Sequence, residues 1–478
     1  MTRTRGVVLT PAEVANEGAE PIVDAVCEAG ATAVAISPGV FVPTDPDDGV
    51  REPPLDIAGE ARVLDRPLWG RTVQYLKGYA PYEPDPAIWA DVPFPPPTPA
   101  PEGIRVDHAA RALHAARSRG LPGYVITSPT VLPGLPGGQS FSSGRAATDG
   151  SGRVVRVDGS VARQQIAGQG CINDPRVRAL ARARITETVG HYPDAAGLFV
   201  DWAEYTCYLP EDIFTCFCEH CADSATRSGL DWGAIRAGVR EIVTRLRGIT
   251  DNDLTRFLDT PATSIVDGLA RLSGASERSR AAAAELMRFK ARSVVDFIRA
   301  LRGWVHSAGP GLELGVNGFA PPWNEVTGAD FAGLAAVADT VRCKLFSFHW
   351  SMMVGWLGEY LRAGNPVLSD ELVLAAATAI YRMPAVPGAT LADYGMPGPE
   401  QPHPIPMTAL ADRLTEARAG VPPNGRLDAY LHSYRPAAEF GALLAATADR
   451  ADGTWIQRYG YLSDRKLGIL RDAWRGRP

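Results

Sequence analysis

Gly197-Leu198-Phe199-Val200-Asp201-Trp202-Ala203-Glu204-Tyr205 is the stretch on which the fold turns. Its four leading apolar residues are too few for a helix and read as a strand buried on both faces. Polar chemistry starts where that strand stops, with Asp201 and Glu204 three positions apart. Upstream, Val177, Leu180, Ala181, Ile185 and Val189 recur at helical spacing behind Asn173 or Asp174 as a cap and Pro175 in the first turn. A helix delivering the chain to a buried strand is the alternation of a parallel sheet.

Outward from there, apolar runs beginning near residues 6, 32, 123, 197, 312, 340, 427 and 454 give eight strand candidates, mostly with helical segments between them. Eight such alternations are what a (β/α)₈ TIM barrel needs, a doubly wound sheet being the competitor within the α/β class. The barrel is favoured because the strand candidates lead into Ser37, Thr127, Asp201, Asn317, His349, His432 and Tyr459, which a barrel would gather at its C-terminal mouth. The reading is one barrel domain over residues 1–478. A Pro-rich, aromatic loop over 40–103 would pack on one end, and a helical excursion would occupy 222–309. The sixth strand is expected over 340–348, the seventh over 427–434 and the eighth over 454–461.

The 478 residues are 45% hydrophobic and 21% charged with a formal net charge of −6, an ordinary globular balance. No basic block is present, so a nucleic-acid partner is not expected. No apolar run is long enough for a membrane span or a signal h-region, so the chain reads as cytoplasmic, with a small neutral or polar molecule as partner. The sequence leaves homo-oligomerisation open.

Two carboxyls flanking a bond are the usual apparatus for glycoside hydrolysis, one ionised and one protonated, which makes Asp201 and Glu204 the catalytic candidates. Glu371, beside Asp370, is a further candidate, although acids there could equally open the helix that follows and complement its dipole. Glu325 is a weaker option. Lys344, inside the sixth strand, would point into the mouth and orient a carboxylate or hydroxyl. Trp202, Trp350 and Tyr459 could stack on sugar faces or simply pack, and Asn317, His349, His432 and Arg435 complete the expected substrate lining.

The odd count of seven cysteines argues against a disulfide framework. Cys27 and Cys343 lie in apolar patterns as core residues. Cys216, Cys218 and Cys221 place three thiols within six positions, a spacing that suits tetrahedral zinc with a fourth ligand from Cys171, Cys207 or His220. Four protein ligands would close the site and make it structural.

The order Gly170-Cys171-Ile172-Asn173-Asp174-Pro175, a helix, Gly197 to Tyr205, then Cys216-Phe217-Cys218-Glu219-His220-Cys221 resembles the zinc-bearing clan A β-galactosidases and related hydrolase-like barrels over about residues 171–225. In those enzymes a Cys before the helix joins a later Cys-x-Cys-x-x-Cys, so the resemblance implies Cys171 as the fourth zinc ligand. Their acid/base is a Glu just after the fourth strand, which implies that role for Glu204. Two features depart from the pattern. Trp202-Ala203 stands where the family has a single Asn, and the seventh strand, Tyr430 to Arg435, lacks the nucleophilic Glu. Other hydrolase barrels use an Asp at the end of strand four as nucleophile, which would assign Asp201 and leave Glu204 or Glu371 as acid. The resulting expectation is a glycoside hydrolase with a structural zinc, against a carbohydrate-binding barrel without hydrolysis or a sugar isomerase or lyase using Lys344 or His432 as base.

Overall fold

A computed structural model of the chain describes residues 3–54, 62–133, 152–161 and 168–476. Eight parallel strands close into a barrel: Thr4–Leu9, Ala33–Ile36, Gly123–Thr127, Gly197–Val200, Glu313–Phe319, Thr340–Leu345, Leu427–His432 and Gly453–Gln457. Each pairs with its sequence neighbour, and the eighth returns to the first with Val7 opposite Ile456. These are the eight strands expected from the sequence, and the fold is an α/β TIM barrel.

Local signals set the boundaries of the helices. Thr10 caps Pro11–Glu17 through a capping box with Glu13, and Asp174 caps Pro175–His191 with Pro175 at the first position. The stretch after the fourth strand is helical as expected, with Trp232–Leu246, Asp251–Leu258, Ile265–Leu272 and the 32-residue Glu277–Ala308. The long helix packs against both Trp232–Leu246 and Pro175–His191 and so backs the fourth strand.

Two expectations change. Within 40–103, where a loop was expected, Val40–Pro43, Val50–Glu52 and Gln74–Tyr79 form a three-stranded antiparallel sheet with the last strand in the centre. Residues 55–61 of that stretch lie outside the described residues, as do 134–151 and 162–167 of the expected loop over 131–170. The stretch is tied to the chain that follows the eighth strand: Arg458 bonds Glu52 of the small sheet, and Lys466 bonds Asp65 between its strands. The strands at this end are also shorter than expected: the sixth stops at Leu345 with a helix over Ser347–Gly364, although the alternation of Phe346-Ser347-Phe348-His349-Trp350 has a strand's period, the seventh stops at His432, and the eighth stops at Gln457.

The barrel interior is filled asymmetrically. Tyr124 and Phe199 stack with centroids 4.6 Å apart, and Trp455 meets both edge-on at 5.6 and 4.8 Å, in one cluster with the small residues Val8, Ala33 and Ala35. A β-carbon on Gly315 would lie 2.0 Å from the Phe199 ring. Gly315→Ala should therefore cost about 1–3 kcal/mol through overpacking. A fall in the urea midpoint at constant slope would register it.

Candidate active site and thiol cluster

At the C-terminal end of the fourth strand the chain turns sharply, with Trp202 in the left-handed region at φ 57°, a conformation bulky residues rarely hold without support. The support is visible. The Trp202 carbonyl accepts from the Thr130 hydroxyl and, at 3.3 Å, from Gln169 Nε2, which also donates to the Glu204 carbonyl at 2.9 Å. Neither Thr130 nor Gln169 stood out in the sequence, since a side chain that braces a distant carbonyl leaves no local pattern.

This turn brings Asp201 and Glu204 to one cation. Lys344 Nζ lies 2.6 Å from Asp201 Oδ1 and 3.4 Å from Glu204 Oε1, so the two carboxyls share an ammonium from the sixth strand. The Trp202 and Phe319 rings each stand 4.7 Å from that ammonium. Burial works to lower the Lys344 pKa, but Asp201 and Glu204 outweigh it and hold the ammonium above its usual range. Lys344 is thus a fixed cation and offers no lone pair to act as a base.

The two carboxyls differ. Glu204 is 3% exposed at its side chain, and its other oxygen accepts the Phe319 N–H at 3.3 Å. Burial pushes it above the usual carboxylate range, against Lys344 and hydrogen bonds from Thr327 and Phe319. Asp201 is 20% exposed; Oδ1 also accepts the Trp202 N–H at 3.0 Å, and no described residue bonds Oδ2. Of the pair, Asp201 faces the mouth.

Around them stand Tyr208, Phe346, His349 and His432, with the Tyr208 and His349 ring centroids 5.4 Å apart and those of Phe346 and His432 4.9 Å apart. Burial, then Arg62 and Lys344, hold His349 well below its usual pKa. Burial, then Arg62 and His349, do the same to His432, whose Nδ1 accepts the Tyr434 N–H at 3.0 Å. The Nδ1 lone pair of His432 is thus engaged by a backbone N–H, and Lys344 is ion-paired to both carboxyls, a geometry that disfavours either as the base of an isomerase or lyase.

The remaining candidates lie elsewhere. Glu371 is exposed in the first turn of Asp370–Ile380, away from the carboxyl pair, as its helix-dipole reading anticipated. Glu325 faces Arg382 at 3.6 Å. Trp350, in the helix Ser347–Gly364, packs on Trp323 at 5.0 Å, and Tyr459 bonds Glu17 from the turn after the eighth strand. Arg435 is buried behind the mouth, donating to Ser347 Oγ at 2.6 Å. Asn317 lies inside the barrel, opposite Arg342 in register, and among the described residues neither polar atom of its side chain has a hydrogen-bond partner. Arg342 went unremarked in the sequence although it lies two positions before Lys344. Its guanidinium is caged by Phe199, Tyr430 and Trp455 at 4.0, 4.1 and 4.6 Å.

Behind the fourth strand, the Sγ atoms of Cys171, Cys216, Cys218 and Cys221 all lie within 4.8 Å of one another. Four thiolates around zinc sit about 3.8 Å apart, given a Zn–S bond near 2.3 Å, so the donor set fits a closed tetrahedral site. Cys218 caps the helix Glu219–Arg227, where the dipole favours a thiolate. The Val155 N–H donates to Cys216 Sγ at 3.2 Å and Asn173 Nδ2 to Cys221 Sγ at 3.4 Å. Cys207 is not in the cluster, and His220 turns instead to Asp174 at 3.5 Å.

Among solved structures, the chain is similar to the β-galactosidase of the Antarctic haloarchaeon Halorubrum lacusprofundi, at a TM-score of 0.50 and 14% identity. It is equally similar, at a TM-score of 0.50 and 12% identity, to the β-galactosidase of the psychrophilic Marinomonas ef1. Each alignment covers 99% of this chain but only 57% and 59% of those longer chains. At such identities the likeness is one of fold alone, the closed (β/α)₈ barrel. No family model and no curated protein matches it. Among the described residues no helix is long and apolar enough to cross a membrane.

Proposed function

We propose that the protein is a glycoside hydrolase acting on a small carbohydrate, that Asp201 is the carboxylate that meets the sugar, and that the four thiols hold a structural zinc ion. The observation that carries the reading is the placement of Asp201: one oxygen is fixed by Lys344 and the Trp202 N–H, and no described residue bonds the other, on the more exposed of the two carboxyls. A carboxylate so oriented is suited to attack at, or to activate water toward, an anomeric carbon. Glu204, with both oxygens engaged and its side chain buried, is read as a positioning residue that holds Lys344 against Asp201. Zinc bound by Cys171, Cys216, Cys218 and Cys221 is coordinatively closed and supplies bracing rather than chemistry. Asn173 relays that bracing by donating to the Tyr205 hydroxyl at 3.1 Å, next to Glu204.

A carbohydrate-binding barrel without hydrolysis is the second reading, favoured by one observation: the seventh strand ends in His432, with no carboxylate there. A panel of aryl α- and β-glycosides and natural oligosaccharides separates the two. Release of aryl alcohol or reducing ends supports the hydrolase. Sugars that raise the melting temperature without turnover support the binder, and neither effect would remove carbohydrate from both readings.

A further inference from the structure

Beside the thiols lies a buried cation that the carboxyl pair does not use. Lys290, on the helix Glu277–Ala308, is fully buried. Its ammonium gives one hydrogen bond, 2.9 Å to the Ile213 carbonyl, and stands 4.9 Å from the centroid of the Tyr205 ring. Among the described residues no carboxylate lies within ion-pair distance of it. Asp212 contributes to its field but is bound to Arg156 at 2.9 Å. One turn further along the helix, Ser293 accepts from Asn173, whose amide also reaches Cys221 Sγ. This face of the helix is therefore turned toward the thiol cluster.

An ammonium removed from water and given a single neutral carbonyl is costly, and such groups persist where a compensating charge exists. Burial pushes Lys290 down to about 7, and the groups that pull it back up are Cys207, Cys216, Asp212 and Cys221. Four thiolates around a divalent ion leave a net charge of about −2 in a medium that screens poorly. The neutral donors to these sulfurs, from Val155 and Asn173, polarise but do not neutralise that charge. Arg178, which is only partly buried, approaches from the side of Cys171.

Resting on the metal reading above, we propose that Lys290 is the counter-charge of the metal–thiolate centre, so that cation and centre each stabilise the other and Lys290 sets how tightly the chain holds the ion. The role makes opposite demands on the two states. With the ion bound, loss of the ammonium weakens the complex. Without the ion, the same loss removes an isolated buried charge and does no harm.

The test is Lys290→Met, close in volume and neutral, with Lys290→Gln as a second variant. Full-length proteins stripped of metal are titrated with Zn²⁺ against a chromophoric chelator, and the metal-free and loaded forms are melted separately. Both variants should bind Zn²⁺ at least tenfold more weakly than the unmodified chain, while their metal-free forms melt no lower than its metal-free form. Equal affinity in variant and parent overturns the inference while leaving the zinc reading intact. Destabilisation of both forms alike, or failure of both variants to fold without metal, also overturns it, because Lys290 would then be a packing residue. If the unmodified chain takes up no Zn²⁺, the zinc reading fails and this inference fails with it.

Discussion

Asp201→Asn should lower glycoside turnover about 10³-fold or more, whereas Glu204→Gln should lower it much less. The asymmetry follows from what each oxygen touches. Asparagine at 201 keeps the volume and leaves Lys344 its 3.4 Å contact with Glu204, so the fold should survive and the loss should appear in kcat. Glutamine at 204 can still accept from Lys344 or the Phe319 N–H, and it removes a carboxyl that burial already disfavours in its charged form. Lys344→Met is the informative third variant. It strands two carboxyls around one buried site, a loss of the kind that costs about 3–5 kcal/mol, so its melting temperature should fall along with its activity. Steady-state kinetics paired with thermal melts of all three variants checks the assignment. If Glu204→Gln is as inactive as Asp201→Asn while substrate affinity is retained, both carboxyls are catalytic and Glu204 is the acid.

How much of this was legible in the chain follows from the range of each interaction. The strands announced themselves because each is a short apolar run ending in polar residues, a local property. The sheet made by Val40–Pro43, Val50–Glu52 and Gln74–Tyr79 did not, because its central strand comes last and intervening prolines and aspartates mimic a loop. The helix from Ser347 was hidden by Phe346-Ser347-Phe348-His349-Trp350, whose apolar–polar alternation has the period of 2 that marks a strand. That error displaced two site candidates: in a helix His349 faces Tyr208 at the mouth while its neighbour Trp350 faces Trp323. Asp201 and Glu204 were identifiable from position, but their asymmetry was not, since it depends on Lys344 arriving from a strand about 140 residues away. Gln169, whose partners lie 33 and 35 positions on, and Arg342, caged by rings of three other strands, likewise left no trace in spacing.

The thiol cluster makes the most demanding expectation about stability. Prolonged chelation, or Cys216→Ser, should release one equivalent of Zn²⁺ and lower the melting temperature by roughly 5–10 °C, because ligand binding to a site formed only by the folded chain contributes directly to folding. The four thiols join positions 171 and 216–221, and between them in sequence lie the helix Pro175–His191, the fourth strand, Asp201 and Glu204. Opening the site should therefore be felt first in the turn at Trp202, whose left-handed backbone depends on Gln169, two residues before Cys171. Activity should fall before the barrel melts, and proteolysis should begin between Tyr205 and Cys221. Cys207→Ala is the control, since Cys207 is buried outside the cluster and should leave the stoichiometry at one. Full retention of melting temperature and activity after complete removal of metal would show that packing of Phe214, Phe217 and Trp232 alone holds the loop, and that the sulfurs contribute only as small apolar groups.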